Sequence, residues 1–147
     1  MTSPEHTIYV VDDDEDDRLL IKQVFTKTCV DCALRFFTEG QLLLDHLETL
    51  SADDLPTLLL LDLNMPLTDG YTVLKAMRSN ELLKEVPVLV LSGSVNAQSV
   101  KQSYRLGANT FLSKPTDFTQ FVNLVAIVQQ HWLRTVIVPG NAESRLG

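Results

Sequence analysis

The sequence predicts an α/β fold in which five parallel strands alternate with five helices. Short apolar runs alternate with segments whose apolar residues keep helical spacing, five times along the chain. The most apolar run, residues 58–61, is four consecutive leucines, which suits a strand that is covered on both faces. Polar or charged residues follow several of these runs, at the strand ends where open α/β sheets carry their ligand sites.

The length and charge of the chain limit its function. Its 147 residues predict one domain, residues 1–134, followed by a tail, residues 135–147, and we expect no output domain. A net charge of -7 argues against a nucleic-acid or anionic-membrane partner and is compatible with a cation site. No apolar run approaches the ~18 residues of a membrane span, and the polar start is unlike a signal peptide. We therefore expect a cytoplasmic protein.

The first strand, Ile8–Val11, is followed at once by six acidic residues, Asp12–Asp17. One or two acids suffice to cap a helix, here predicted over residues 16–28, and six acids repel one another. Asp12 and Asp13 stand at the strand's carboxyl end, as Asp62 stands after residues 58–61. These three carboxylates predict an oxygen-rich site for a hard divalent cation, and Mg²⁺ fits because it needs few protein oxygens.

The second strand, residues 33–37, is predicted at a sheet edge because Arg35 interrupts its apolar pattern. Thr38 and Gln41 have the spacing of a capping box, which predicts the start of the second helix. The apolar pattern of that helix continues to Leu50. His46 lies on or beside its apolar stripe, and we expect it to be structural.

Cys29 and Cys32 form a Cys-x-x-Cys motif between the first helix and the second strand. Such a motif can be a redox pair or half of a metal site. We expect two small structural residues, because the pair follows a helix rather than opening one, so the helix dipole does not favour thiolates. The sequence has no second cysteine pair, and its three histidines show no ligand spacing.

The second half of the chain continues the alternation. Asp69 and Gly70 supply turn chemistry before the third helix, and the fourth strand, residues 88–91, ends at Ser92 and Gly93. Gly107 is expected to cap the fourth helix. The fifth strand, residues 110–113, is less apolar and suits the other edge; Lys114 and Pro115 follow it. Asp117 and Gln120 open the last helix, whose predicted packing stripe is Phe118, Phe121, Val122, Val125, Val128, Gln129 and Trp132.

Five strand–helix units with right-handed crossovers predict a (βα)5 three-layer sandwich, with helices on both faces of the sheet. Placing the most apolar strands centrally gives the flavodoxin-like strand order 2-1-3-4-5. Asp12, Asp13 and Asp62 then converge, flanked by Ser92 and Lys114. A carboxylate is a competent nucleophile towards phosphorus, provided that Mg²⁺ and a lysine offset the charge of the phosphoryl group.

With these residues in place, the sequence closely resembles the receiver domains of two-component response regulators, from Ile8 to about Trp132. The matching motifs are Asp12-Asp13, Asp62 in Asp-Leu-Asn-Met-Pro-Leu-Thr-Asp-Gly, Ser92-Gly93 and Lys114-Pro115. The resemblance implies a phosphoacceptor that takes its phosphoryl group from a histidine kinase, rather than a metabolic enzyme.

The resemblance also implies a role for each matching residue. Asp62 is phosphorylated, Ser92 is the switch hydroxyl and Lys114 contacts the phosphoryl group. Mg²⁺ is held by Asp13, Asp62 and the backbone carbonyl of Asn64, with Asp12 mainly through water. The switch aromatic falls on Phe111, where the family often has Tyr, and the bond between Lys114 and Pro115 is usually cis.

Two stretches, residues 103–109 and 113–118, resemble stand-alone receivers that partner bacterial phytochrome kinases, so a phytochrome-type or hybrid kinase is the expected partner. The apolar Val136–Val138 in the tail suggests a homodimer. Two other functions stay open. A phosphohydrolase with an Asp nucleophile usually has a second acid where this chain has Asn64. A phosphate-independent binding module would lack part of the acid set.

Overall fold

The computed structural model describes residues 5–65 and 69–135, of which residues 134 and 135 are described by their backbone alone. The strands are β1 (His6–Val11), β2 (Cys32–Phe37), β3 (Leu58–Asp62), β4 (Val88–Ser92) and β5 (Thr110–Ser113). The helices are α1 (Glu15–Thr28), α2 (Gly40–Leu47), α3 (Gly70–Arg78), α4 (Ala97–Arg105) and α5 (Phe118–Ile127). A 3₁₀ turn, Ala52–Asp54, precedes β3, and a π-helical segment, Val128–Thr135, continues α5.

The five strands form one parallel sheet in the order β2-β1-β3-β4-β5, which confirms the flavodoxin-like prediction. The register aligns the carboxyl ends of the central strands. Val11 of β1 pairs with Leu61 of β3, so Asp12 and Asp62 follow at the same level of the sheet. Ser92 of β4 pairs with Ser113 of β5, which places Lys114 beside the same edge.

The two faces of the sheet carry separate hydrophobic clusters. On one face, α2 and α3 pack through Leu43, Leu47, Val73, Leu74 and Met77. On the other, α1 and α5 pack through Ile21, Val24, Phe25, Phe121, Leu124 and Val125. All five residues of β3 and of β4 are buried, as expected for central strands with helices on both sides. No helix in the described ranges is long and apolar enough to cross a membrane.

Gly107 ends α4 as predicted, with a φ of 107°, the left-handed conformation that glycine adopts without strain. Arg78, the last residue of α3, is bonded to the turn that this glycine forms. Its guanidinium donates to the carbonyls of Gly107, Lys84 and Val86 and to Oδ1 of Asn109, each at 2.9 Å. The connection before β4 and the connection before β5 are therefore held by one side chain.

Two helix details differ from the prediction. The N-cap of α2 is Glu39 and makes no side-chain cap bond, so the capping box of Thr38 and Gln41 is wrong. Gln41 instead donates to Asp45 one turn later (2.8 Å), and α2 ends at Leu47 rather than continuing to Leu50.

The packing stripe of α5 begins later than predicted. Phe118 occupies the first position of the helix and is 45% exposed, so the buried stripe begins at Phe121. The predicted opening of this helix is confirmed, because Asp117 accepts from the backbone N–H of Gln120 (2.8 Å). His46 is structural as expected: its Nε2 lies 3.1 Å from the hydroxyl of Tyr9, and its ring packs against Phe37.

The cysteines are more than two small apolar residues. Cys29 and Cys32 are joined by a disulfide, with their Cα atoms 5.5 Å apart. Cys29 is the C-cap of α1 and Cys32 is the first residue of β2, so the turn between them brings the two side chains together. The sequence predicted two small structural residues, and that prediction missed the bond between them.

Gly70, at the start of α3, lies where a larger residue has no room. A Cβ at this position would sit 2.8 Å from Cα of Leu63 and 3.0 Å from the carbonyl oxygen of Asp62. We predict that Gly70→Ala destabilises the protein by roughly 1–3 kcal/mol, because backbone cannot yield cheaply to the added methyl. Urea unfolding provides the measurement. Gly93→Ala is the matched control, since its Cβ meets nothing within 4 Å; equal stability of the two variants would contradict the prediction.

Candidate functional site

The predicted site residues meet at the carboxyl ends of β1, β3, β4 and β5. A hollow of about 530 Å³ opens there, between the loop after β1 and the loops after β3 and β4. Its walls are mostly acidic and include one cation; the lining residues are Asp13, Asp14, Glu15, Asp16, Asp62, Asn64, Gly93 and Lys114. An anionic group can enter this hollow only if a cation offsets the carboxylates.

Lys114 is the centre of the charge arrangement. Its Nζ lies 3.0 Å from Oδ2 of Asp12, 3.1 Å from Oδ2 of Asp62 and 2.8 Å from Oδ2 of Asp17. The backbone places it, because the N–H of Lys114 donates to the carbonyl of Ser92 across the β4–β5 edge (2.8 Å). The ammonium therefore bridges carboxylates from the ends of β1 and β3 and from the first turn of α1.

Asp12 and Asp62 have different surroundings. Asp12 is 1% exposed, and its Oδ1 accepts from the backbone N–H of Asp14 (2.9 Å). Arg18 donates to the carbonyl of Asp12 (2.8 Å), which fixes the backbone at the end of β1. Asp62 is 3% exposed but lines the hollow, and its Oδ1 accepts from the backbone N–H of Asn64 (3.1 Å). Of these two carboxylates, Asp62 is the one that faces the hollow.

The site holds more negative charge than Lys114 can offset. Burial raises the pKa of Asp12 to about 6, against the lowering effects of the Asp14 N–H and of Lys114. Burial likewise raises the pKa of Asp62, which Lys114 partly opposes. Burial alone would lower the pKa of Lys114, but the bond to Asp17 and the charges of Asp12 and Asp62 raise it above its usual value. Lys114 is therefore a permanent cation.

The donor set fits a hard divalent cation. Carboxylate oxygens of Asp12, Asp13 and Asp62 all lie within 4.8 Å of one another. Asp13 is exposed to the hollow, whereas the other two are buried. Oxygen ligands from a few carboxylates, with the remaining positions left to water, are the arrangement that Mg²⁺ prefers. A bound cation would also relieve the repulsion that accompanies the raised pKa values of Asp12 and Asp62.

Ser92 is held in a small network beside Asp62. It is fully buried, and its hydroxyl donates to the carbonyl of Ser94 (2.9 Å). The same oxygen accepts from the side chain of Asn64 (3.2 Å) and from the N–H of Ser94 (3.2 Å). Asn64 therefore connects Asp62, through its backbone, with Ser92, through its side chain.

Phe111 lies apart from this network. It is half-buried on β5 and packs against the cluster of α2 and α3, while its N–H donates to the hydroxyl of Tyr104 (3.1 Å). The structure thus brings together six of the predicted site residues: Asp12, Asp13, Asp62, Asn64, Ser92 and Lys114. Phe111 lies nearer the start of β5, two residues before the end of that strand.

Asp17 is a site residue that the sequence interpretation assigned only to the helix start. It lies in the first turn of the helix that follows the end of β1, and this position was the available signal. The expected cis bond between Lys114 and Pro115 is wrong, since no cis peptide occurs in the described residues. Bonds that precede proline adopt either form at small cost. Pro66, Leu67 and Thr68 of the matching motif lie outside the described residues.

Comparison with known proteins identifies the family. The sequence profile of the response regulator receiver domain matches residues 8–126. The chain belongs to this family. Response regulator Rcp1 of Synechocystis sp. is 32% identical over 141 residues, which cover 94% of this chain and 96% of Rcp1.

Two crystal structures support this assignment. The phosphorylated cyanobacterial phytochrome response regulator RcpA has a TM-score of 0.83 and 31% identity, covering 91% of this chain and 98% of RcpA. The Mn²⁺-bound form of Rcp1 has a TM-score of 0.81 and 32% identity, covering 91% and 99%. Receivers of this family are phosphorylated on an aspartate and bind a divalent metal in the acidic pocket.

The raised pKa of Asp12 predicts a pH dependence of stability without metal. The contribution of Asp12 is fully present below its unfolded pKa of ~3.9 and is lost as the pH rises through about 6, because the folded state favours the protonated form. In Asp12→Asn this loss is absent. Urea unfolding of both proteins in chelator, across this pH range, measures the difference, with exposed Asp53→Asn as control. Parallel stability curves for parent and Asp12→Asn would refute the prediction.

Proposed function

We propose that Asp62 is the phosphoacceptor of this receiver. The observation that carries the proposal is that Asp62 both faces the hollow and lies 3.1 Å from Nζ of Lys114. Asp12 is not among the residues that line the hollow, and its Oδ1 accepts from the backbone N–H of Asp14. An incoming phosphoryl group therefore meets an oxygen of Asp62 before one of Asp12.

Asp12, Asp13, Asp62 and the backbone carbonyl of Asn64 would hold the metal, and Mg²⁺ is the ion we propose. When bound, Mg²⁺ neutralises the carboxylates and stabilises the charge of the transferring phosphoryl group. Asp13 supplies the exposed carboxylate of this set, so it can exchange water for the ion without unfolding the loop. Asp12 is held in place by Lys114 and by the Asp14 N–H, which favours a supporting role.

Lys114 and Ser92 would contact the phosphoryl oxygens on Asp62. The ammonium already lies beside the acceptor oxygen, so it can hold an oxygen of the new group with little movement. Asp17 shares this ammonium and keeps it at the mouth of the site. The hydroxyl of Ser92 must first change its hydrogen bonds, because it accepts from the side chain of Asn64 and donates to the carbonyl of Ser94.

The phosphoryl donor we propose is a histidine kinase of phytochrome or hybrid type. RcpA, at 31% identity, is a phytochrome response regulator, which supports this partner class. Turnover of the aspartyl phosphate by Mg²⁺-dependent self-phosphorylation and dephosphorylation is part of the proposal. The phosphohydrolase alternative is less well supported, because Asn64 supplies an amide where such an enzyme needs a second acid, and that amide is bonded to Ser92.

The domain boundaries and the homodimer remain predictions. Residues 1–134 are expected to be the receiver and residues 135–147 a tail. Val136–Val138, which suggested the homodimer, lie outside the described residues.

Phosphorylation should be confined to Asp62. Incubation of the parent with acetyl phosphate and Mg²⁺ should add the mass of one phosphoryl group, and Asp62→Asn should add none, because the amide is not a nucleophile. Intact-mass spectrometry is the measurement. Asp69→Asn, in the helix cap after the same loop, should label like the parent. Unchanged labelling of Asp62→Asn would reject the assignment.

Ser92 should couple phosphorylation to the face formed by α4, β5 and α5. Ser92→Ala should still be labelled on Asp62 but should lose the accompanying amide shifts at residues 108–113, because the hydroxyl makes the contact that differs between the two states. Amide NMR with beryllofluoride as phosphoryl mimic provides the measurement. Ser99→Ala, in the cap of α4, is the control for a local hydroxyl change. Parent-like shifts in Ser92→Ala would exclude this route.

A further inference from the structure

A second group of metal-binding side chains lies at the end of the sheet opposite the acidic hollow. Ligand atoms of Cys29, Asp31 and Cys32 lie within 4.8 Å of one another, and so do those of Glu5, His6 and Asp31. Asp31 belongs to both groups. The receiver chemistry described above uses none of these five residues.

The fold brings the backbone of His6 beside that of Cys32, although His6 lies 23 positions before Cys29 in the sequence. His6 pairs directly with Cys32 across β1 and β2, and paired residues of neighbouring strands point to the same face of a sheet. The N–H of His6 donates to the carbonyl of Asp31 (3.0 Å), which ties the start of β1 to the turn. Cys29 is fixed from the other side, because its N–H donates to Phe25 at the end of α1 (2.8 Å).

The chemistry of the group differs from that of the acidic hollow. The hollow offers carboxylate oxygens, which suit Mg²⁺, whereas the two groups that share Asp31 together offer two sulfurs, an imidazole and two carboxylates. Sulfur and imidazole ligands favour zinc, which takes four ligands in a tetrahedron in structural sites. The side chain of His6 is fully buried and Cys29 is buried, so an ion there would be shielded from water.

We propose that the reduced chain binds Zn²⁺ through Cys29, Cys32, His6 and Asp31. Two sulfurs on a tetrahedral zinc ion lie roughly 3.8 Å apart, given Zn–S bonds of about 2.3 Å. The Cα atoms of Cys29 and Cys32 are 5.5 Å apart, so rotation of the side chains can open that distance without moving the backbone. Glu5, with its carboxylate 3.8 Å from Nε2 of His6, adds negative charge beside the ion.

The disulfide and the metal exclude each other. A dithiol reductant supplies two electrons and two protons, the bond between Cys29 and Cys32 breaks, and the dithiol becomes a cyclic disulfide. Zn²⁺ then displaces both thiol protons to solvent and binds the thiolates. Oxidation by a small-molecule disulfide reverses the order: that disulfide takes the two electrons and two protons from solvent and becomes two thiols, the bond between Cys29 and Cys32 forms and Zn²⁺ is released. The site is thus available only under reducing conditions.

Co²⁺ substitution tests the proposal, because thiolate ligands give a cobalt charge-transfer band that oxygen ligands do not. The full chain is reduced with a phosphine, kept in excess Mg²⁺ to occupy the acidic hollow, and titrated with Co²⁺. We expect one equivalent of Co²⁺ to give this band together with the intense visible bands of tetrahedral cobalt. Added Zn²⁺ should abolish both, and the oxidised chain should show neither.

Variants distinguish the loss of a metal ligand from a general effect on folding. Cys32→Ser and Asp31→Asn change partly exposed residues. The first should lose most of the charge-transfer band, and the second should weaken Co²⁺ binding at least ~10-fold. His6→Gln, like Asp31→Asn, should weaken Co²⁺ binding at least ~10-fold. His131→Gln and Asp45→Asn, two exposed positions elsewhere, should bind like the parent. Circular dichroism and thermal melting of each variant confirm that it is folded.

Thermal stability gives an independent measurement. Zn²⁺ should raise the Tm of the reduced, Mg²⁺-saturated parent, because it binds the folded state, and should leave the Tm of Cys32→Ser unchanged. The proposal is overturned if the reduced parent shows no charge-transfer band. It is also overturned if Asp31→Asn and His6→Gln, both folded, bind Co²⁺ as tightly as the parent, since the cysteines would then act without them.

Discussion

The ion contacts of Lys114 are the interaction on which the rest of the site depends. One ammonium lies within 3.1 Å of carboxylates from Asp12, Asp17 and Asp62. Two of these carboxylates are almost completely buried, and a buried charge is tolerated only when it is paired and hydrogen-bonded. Lys114 makes it possible for β1 and β3 to end in acids at neighbouring positions. The carboxylates of the site still outnumber this one ammonium. Burial raises the pKa of Asp12 and of Asp62, and a bound divalent cation would offset the remaining negative charge.

Most of the fold could be predicted because the apolar pattern and the strand order constrain each other. Five alternating units, two of them with entirely buried strands, allow few parallel arrangements, and the observed order is the predicted one. The same order decides which strand ends are neighbours. Asp12, Asp62, Ser92 and Lys114 were therefore predictable as a group from their positions at or directly after the carboxyl ends of strands, without any knowledge of side-chain contacts.

The errors arise where a local pattern had more than one physical solution. Gln41 had the spacing of a capping box, but its side-chain amide donates a hydrogen bond to Asp45 on the same helix face. Asp17 was interpreted as a helix-start acid, and it is one, yet its carboxylate also reaches Lys114. The cysteine pair required knowledge of the turn between α1 and β2. His6 required the register of β1 against β2, which the sequence does not specify.

The bonds of Ser92 have a consequence for how sharply the receiver responds. A hydroxyl has one proton, and in the structure that proton is given to the carbonyl of Ser94. Donation to a phosphoryl oxygen would therefore exchange one hydrogen bond for another, and the loop after β4 would have to release its own closing bond. The energy difference between the two arrangements is then small compared with either bond. A change at Asn64 or Ser94 would act as an adjustment of sensitivity, shifting the fraction of molecules in the responding arrangement while the phosphorylation chemistry at β3 stays the same.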